Sequence, residues 1–274
     1  MIRLAVRCRA EHAERVLADL LELAPGGVEE ERGGDWVEFG IYGPPGELPD
    51  LGVLEATAGA GTVEVDATEI PDDWADRWRD FHEPVEIAGG RMVVRPSWEE
   101  EAGARADVDI RIDPGQAFGT GAHATTTLCL ELLLELADRG EASGGLADLG
   151  TGSGVLAIAA AKLGWAPVAG YDSEQAAVEA AAENAAANGV EIEVRRLNLR
   201  DEQPPPAPTL VANLTASLLE LVAGKLAEPP GTLVCSGLLE AQTERVAAAL
   251  DAAGLRVTDR RRRGDWSALL AVAT

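Results

Sequence analysis

Three glycines at alternate positions, Gly150, Gly152 and Gly154, follow a short apolar run from Leu146 to Leu149 that carries one acid, Asp148. An Ala-rich stretch continues to Leu163, and a second apolar run, Pro167 to Tyr171, stops at Asp172. This order predicts a β-α-β unit with a nucleotide-sized crevice at its carboxyl edge. Glycines suit such a turn because a side chain would hold the backbone away from a ligand lying across it. Asp172, at the tip of the second strand, stands where a carboxylate accepts both hydroxyls of a ribose. A glycine turn that serves no ligand is the plain alternative, but three glycines lower stability without a backbone reason to keep them.

The spacing separates two ligand classes. A dinucleotide site wants Gly-x-Gly-x-x-Gly, which puts the third small residue at position 155, and that residue is Val155. It also wants a bare helix start to receive a pyrophosphate. Here the glycines alternate, and Asp148 precedes the first of them by two residues. A carboxylate there repels a pyrophosphate and suits a cation, such as the amino group of a methionine moiety. Asp-x-Gly-x-Gly-x-Gly therefore favours S-adenosylmethionine as the cofactor over NAD.

Two other stretches carry candidate chemistry. Asp113 to Thr127 is a loop rich in Gly, Thr and His that runs into a helix reaching about Ala137. Phe118 is placed to wall off a flat ring, and hydroxyls such as that of Thr120, or the helix N–H groups, suit a carboxylate. His123 reads either as a site residue or as a helix cap. Asn213 ends a predicted strand, where ligand-facing groups collect in open sheets. An Asn there accepts a hydrogen bond from an amine and aims its lone pair at a methyl donor; its ordinary alternative is a helix N-cap.

Positioning these residues requires an alternation of strands and helices. After Asp172 the pattern gives a helix over 174–187, a strand over 192–197, a strand over 210–212, a helix over 217–227, a strand over 231–236 and a helix over 240–253. Strands 255–258 and 266–272 finish it as an antiparallel pair. The fold class is α/β, a doubly wound Rossmann-like sheet of about seven strands. Strands 91–98 and 108–112 are expected to form a hairpin leading into it. Residues 1–70 alternate as β-α-β-β-α-β, with helices at 10–23 and about 49–55, the order of a ferredoxin-like α+β domain. Nothing in them looks catalytic, and the expectation is a substrate-recognition domain. Residues 71–90, with Trp74 and Trp78 on one helix face, read as a helical linker, and 91–274 as the catalytic domain.

Composition narrows the function classes. The 274 residues carry 23 basic and 47 acidic side chains, a net charge of −24. Such a surface repels nucleic acid and anionic membranes and attracts basic partners; salt adaptation of the source cell would produce the same composition. Arg260 to Arg263 is the one basic cluster, read as a solvated sheet edge. Cys8, Cys129 and Cys235 are scattered and odd in number, as reduced thiols are, and His12, His82 and His123 are too separated to build a metal site with them. No leader or long apolar span is apparent, so the expected location is the cytoplasm, with no membrane or direct nucleic-acid partner and no metal.

Asp148-Leu-Gly-Thr-Gly-Ser-Gly154 with Asp172 resembles the cofactor motif of class I S-adenosylmethionine-dependent methyltransferases. The narrower resemblance is to PrmA-type enzymes, which methylate the eleventh large-subunit ribosomal protein. It rests on Asp113-Pro-Gly-Gln-Ala-Phe-Gly-Thr-Gly-Ala-His-Ala-Thr-Thr126, on Asn213-Leu-Thr-Ala216, on Ser236-Gly-Leu-Leu-Glu-Ala-Gln242, on Phe81-His82 through Pro96-Ser-Trp98, and on Trp266. It is strong from about residue 72 onward and weak before that. It implies cofactor contacts at Thr126, Gly150, Asp172 and Asn213, and methyl transfer to Lys side chains or an N-terminal amine of a ribosomal protein. The family has Asn-Ile-Leu-Ala and His-Pro-Thr where this chain has Asn213-Leu-Thr-Ala and His123-Ala-Thr. Competing readings are a methyltransferase for another protein lysine or a small amine, an NAD-dependent oxidoreductase, and a non-catalytic binding module.

Overall fold

The computed structural model describes residues 2–13, 15–17, 20, 29–43, 63–69, 83–99, 104–113 and 121–274. The chain divides into two units, residues 1–82 and 83–274.

In the first unit, strands β1 (Ile2–Arg9), β2 (Glu29–Gly33), β3 (Trp36–Gly43) and β4 (Val63–Glu69) form one antiparallel sheet in the order β2-β3-β1-β4. The alternation of β1 decides its register. Leu4, Val6 and Cys8 lie directly opposite Ile41, Phe39 and Val37, and all six are buried. Gly34, at φ +60°, closes the β2–β3 hairpin. Ala13, Val16, Leu17 and Leu20 are helical and buried at the expected three-four spacing. The second helix expected in this unit, at 49–55, lies outside the described residues, as do Trp74, Trp78 and His82.

The second unit is built on a seven-stranded sheet: β8 (Leu146–Leu149), β9 (Val168–Asp172), β10 (Glu193–Arg196), β11 (Thr209–Asn213), β12 (Thr232–Leu239), β13 (Leu255–Arg263) and β14 (Trp266–Ala273). Their spatial order is β10-β9-β8-β11-β12-β14-β13, parallel except for β14, which runs antiparallel to both neighbours. The helices are α1 (Ala124–Asp138), α2 (Val155–Leu163), α3 (Gln175–Ala187), α4 (Ala216–Lys225) and α5 (Thr243–Ala252). Period-two patterning sorts the core into two layers. Val211, Val234 and Leu270 pack with α1 and α2, while Leu210, Ala212, Leu233, Cys235 and Leu269 pack with α4 and α5. Strand order reverses between β8 and β11, which opens a crevice at their carboxyl ends.

Three local expectations are corrected. Val85–Ile87, inside the expected helical linker, is a strand (β5), paired antiparallel with β6 (Met92–Arg95) through the left-handed residues Ala88, Gly89 and Gly90. β6 and β7 (Val108–Arg111) do not form a hairpin but pair in parallel, in a separate three-stranded sheet. The tight turn is spent on β5–β6, and the connection of about a dozen residues that follows is the length a parallel pair requires. This small sheet buries Ile87, Met92, Val94 and Ile110 against α1 and α2 and is tied down by polar contacts. Lys162 Nζ donates to the Asp109 carbonyl at 2.6 Å, and the Asn188 side chain brackets the Arg111 backbone at 2.6 and 2.8 Å. α1, sandwiched between the two sheets, is buried nearly all round and not along one stripe only.

The third correction is at the far edge, where β13 continues through the arginine run. Arg261 clamps Glu135 of α1 at 2.6 Å through both outer nitrogens, Arg263 reaches Glu131 at 2.7 Å, Arg260 pairs with Glu244 of α5, and Arg262 with Asp265. The basic cluster is thus matched residue by residue to acids. Cys8, Cys129 and Cys235 are all buried. Among the described residues no group of three His, Cys, Asp or Glu is placed to hold a metal, and no helix is long and apolar enough to cross a membrane.

Candidate active site

The glycine turn after β8 takes the conformation its sequence permits. Gly150, Gly152 and Gly154 have φ of +73°, +52° and +83°. Its amides are already engaged. Gly150 and Thr151 N–H donate to the Tyr171 carbonyl at 2.8 and 2.9 Å, Gly152 N–H to Asp172 Oδ2 at 2.9 Å, and Gly154 N–H to the Thr151 carbonyl at 2.8 Å. At the start of α2, Val155 N–H meets Ser153 Oγ at 3.4 Å and Ala157 N–H meets Asp148 Oδ2 at 3.2 Å. A pyrophosphate needs such amides turned outward. Here a carboxylate of the protein itself occupies the helix N-terminus.

Asp148 holds a different post from the one its spacing suggested. It shares strand parity with Leu146, so it points toward α1 and α2 and is fully buried. Oδ2 accepts from Thr151 Oγ1 at 2.7 Å as well as from Ala157, while Oδ1 is buried with no partner. Burial pushes its pKa up to about 7 despite those two bonds, and Asp172 nearby adds to the rise. In this geometry Asp148 fastens the glycine turn to the start of α2 from within the core.

Asp172 is half-buried at the tip of β9, where its Oδ1 accepts from Glu174 N–H at 3.1 Å. Each oxygen has one protein partner, which leaves lone pairs for ribose hydroxyls. Glu174 beside it has a raised pKa, from burial first and then from Asp172. The crevice end is therefore acidic, and its acids would be relieved by a cationic nucleoside and strained by a diphosphate.

Asn213 and Thr126, 87 residues apart, meet as donor and acceptor: Asn213 Nδ2 lies 3.2 Å from Thr126 Oγ1. Thr126 is buried in the first turn of α1, which His123 caps: its Nδ1 accepts from Thr125 N–H at 3.3 Å and sits 2.7 Å from the Thr125 hydroxyl. The imidazole also meets Trp266, with ring centroids 4.8 Å apart in a T-shaped contact. Burial lowers the His123 pKa to about 4, so the ring is neutral at ordinary pH. Phe118 and Thr120 lie outside the described residues. The loop rejoins them at Gly121, whose φ of +89° and closeness to Val94 (2.9 Å from an added Cβ) exclude a side chain.

Two residues that the spacing did not flag belong to the same place. Leu214 packs on Gly150, and Gly237, at φ +87°, packs on the Leu214 backbone. A glycine inside an otherwise apolar strand is the signal for such a close approach.

Known proteins resemble this chain over most of its length. The family model described as ribosomal protein L11 methyltransferase (PrmA) matches residues 52–274. A protein named ribosomal protein L11 methyltransferase from Pelotomaculum thermopropionicum is 44% identical over 210 residues, covering 74% of this chain and 67% of that protein. One of the same name from Symbiobacterium thermophilum is 44% identical over 205 residues, covering 73% of this chain and 66% of that protein. The matched stretch thus spans about two thirds of the length of these relatives. The crystal structure of a ribosomal protein L11 methylase from Lactobacillus delbrueckii subsp. bulgaricus superposes with a TM-score of 0.62 at 32% identity, over 70% of this chain and 99% of that one.

Proposed function

The chain belongs to the ribosomal protein L11 methyltransferase (PrmA) family, and on that premise we propose that it methylates amino groups of ribosomal protein L11, using S-adenosylmethionine. The observation that carries the cofactor is the state of the glycine turn: its amides are spoken for, and the acids Asp172 and Glu174 stand beside it. That arrangement rejects a dinucleotide and suits a positively charged nucleoside. When bound, the cofactor supplies an electrophilic methyl on a sulfonium.

Asp172 would hold the ribose hydroxyls, beside the glycine turn that its own Oδ2 helps to fasten. Thr126 would close the other side. Its hydroxyl receives the Nδ2 hydrogen of Asn213, which orients that amide and leaves Oδ1 to accept from the substrate amine. A lysine amine has a reference pKa of about 10.4 and an α-amine one of about 7.7–8.0, so a proton must leave before either nitrogen is nucleophilic. Burial of the amine lowers these values. Asn213 and Thr126 are neutral, so they orient the nitrogen and the proton leaves to water. Catalysis on this reading is chiefly positioning.

The four strands of the first unit, in the order β2-β3-β1-β4, support reading residues 1–70 as a ferredoxin-like domain that docks the substrate. The second unit, residues 83–274, would then be the methyltransferase domain. A ribosomal protein substrate is in keeping with a reaction in the cytoplasm. The test is incubation of the purified protein with methyl-labelled S-adenosylmethionine and purified ribosomal protein L11, followed by mass spectrometry. Label on lysines or the N-terminus of L11 is expected; label appearing only on other proteins of a lysate would reassign the substrate, and tight binding of NAD without label would overturn the reading.

A further inference from the structure

Leu214 follows Asn213 at the end of β11, and three constraints converge on it. A side chain on Gly150 would begin 2.4 Å from Leu214 Cδ2, so the leucine methyl already stands in that place. A side chain on Gly237 would begin 2.2 Å from the Leu214 carbonyl oxygen, 2.7 Å from its carbonyl carbon and 2.9 Å from its nitrogen. The Leu214 N–H donates to the Ser236 carbonyl at 3.0 Å. The backbone of Leu214 is therefore seated on β12 and its side chain on the glycine turn.

We propose that Leu214 is a positioning residue that registers the glycine turn against the strand end bearing Asn213, with Gly237 as the seat that fixes its backbone. The inference rests on the methyltransferase reading for its catalytic consequence, though not for the contact itself. The turn keeps its own scaffold without Leu214, because Tyr171 and Asp172 hold Gly150, Thr151 and Gly152. Asn213 likewise keeps Thr126. What the leucine adds is the distance between these two rigid pieces, which sets how the methyl donor faces the amine. Packed contacts shift between discrete arrangements and do not stretch evenly. Misplacement by about 1 Å costs on the order of a hundredfold in rate.

The prediction is a split between turnover and binding. Leu214→Ala lowers kcat on ribosomal protein L11 by at least about tenfold and leaves the calorimetric Kd for S-adenosylmethionine within about threefold, while the volume-conserving Leu214→Ile stays near the parent in both. Leu218→Ala, four residues on in α4 and packed on the same core layer, lowers Tm comparably without changing kcat. The contact is read separately, without ligand or substrate, by thermal melts of Gly150→Ala in the Leu214 and Leu214→Ala backgrounds. The new methyl meets Cδ2 only in the first, so Gly150→Ala lowers Tm less in the second. Equal losses in both backgrounds overturn the contact. A kcat for Leu214→Ala that matches Leu218→Ala overturns the positioning role. Failure of the parent protein to bind S-adenosylmethionine would instead strike the proposed function and leave the melts to decide the contact.

Discussion

Replacing Asp148 by Asn should flatten part of the pH dependence of stability. The acid is fully buried, with one oxygen bonded to Thr151 and Ala157 and the other without a partner. Burial raises its pKa from 3.8 to about 7. A raised carboxyl pKa means that the folded state binds the proton more tightly than the unfolded one. The contribution of Asp148 to stability is therefore greatest below about pH 4, falls as pH rises, and stops falling above about pH 7. A gap of about three pH units, at ~1.36 kcal/mol each, amounts to on the order of 4 kcal/mol. Asn keeps the acceptor for Thr151 and Ala157 and cannot ionise. Urea unfolding of parent and Asp148→Asn at intervals from pH 5 to 8.5 isolates the group by difference, because every other titration is shared. The variant should gain on the parent steadily up to neutrality. Parallel profiles would refute the burial argument, and a variant that loses ground as pH rises would show that the charged form is the stabilising one.

Other outcomes follow from the same geometry. Asp172→Ala removes the acceptor for Gly152 and Glu174 amides as well as the proposed ribose contact, so S-adenosylmethionine should bind at least about tenfold more weakly, a loss of ~1.4 kcal/mol or more by calorimetry; unchanged affinity would count against the ribose assignment. Asn213→Ala should reduce kcat far more than cofactor affinity, and the reverse pattern would demote Asn213 to a structural residue. His123, held to about 4 by burial, favours the neutral ring in the folded state. Its contribution is present above about pH 6.5 and lost as pH falls toward 4, so His123→Asn should lose less stability than the parent over that range, by on the order of 2–3 kcal/mol in acid unfolding. Arg261→Ala leaves Glu135 and Asp259 facing each other and should cost ~1–2 kcal/mol in chemical denaturation.

The local chemistry was legible where residue type alone dictates backbone shape. Alternate glycines at positive φ, an acid at the next strand tip and an Asn at the fourth strand end all fall at the switch point. Thr126 was named only through family resemblance, and its contact with Asn213 came from the structure alone, since it depends on how α1 crosses the sheet. The inward turn of Asp148 was hidden because β8 is buried on both faces. Leu146, Ala147 and Leu149 leave no polar side from which parity can be read. β5 was missed because three residues are too few for a pattern, and the parallel pairing of β6 with β7 because hairpin signals say nothing about crossovers. Gly237, a glycine inside β12, hinted at a close approach, but Leu214 needed coordinates, since only its contacts with Gly150 and Gly237 give it meaning.

Helix α1 has a consequence for how this protein tolerates change. One rod forms the centre of the core along most of its length and the wall of the crevice at its first turn. A change along Leu128–Leu136 that shifts the helix also shifts Thr126, which couples stability there to the contact with Asn213. On the opposite layer, α4 and α5 carry no such double duty beyond the first residues of α4. Room to vary the sequence, by drift or by engineering, lies on that side of the sheet.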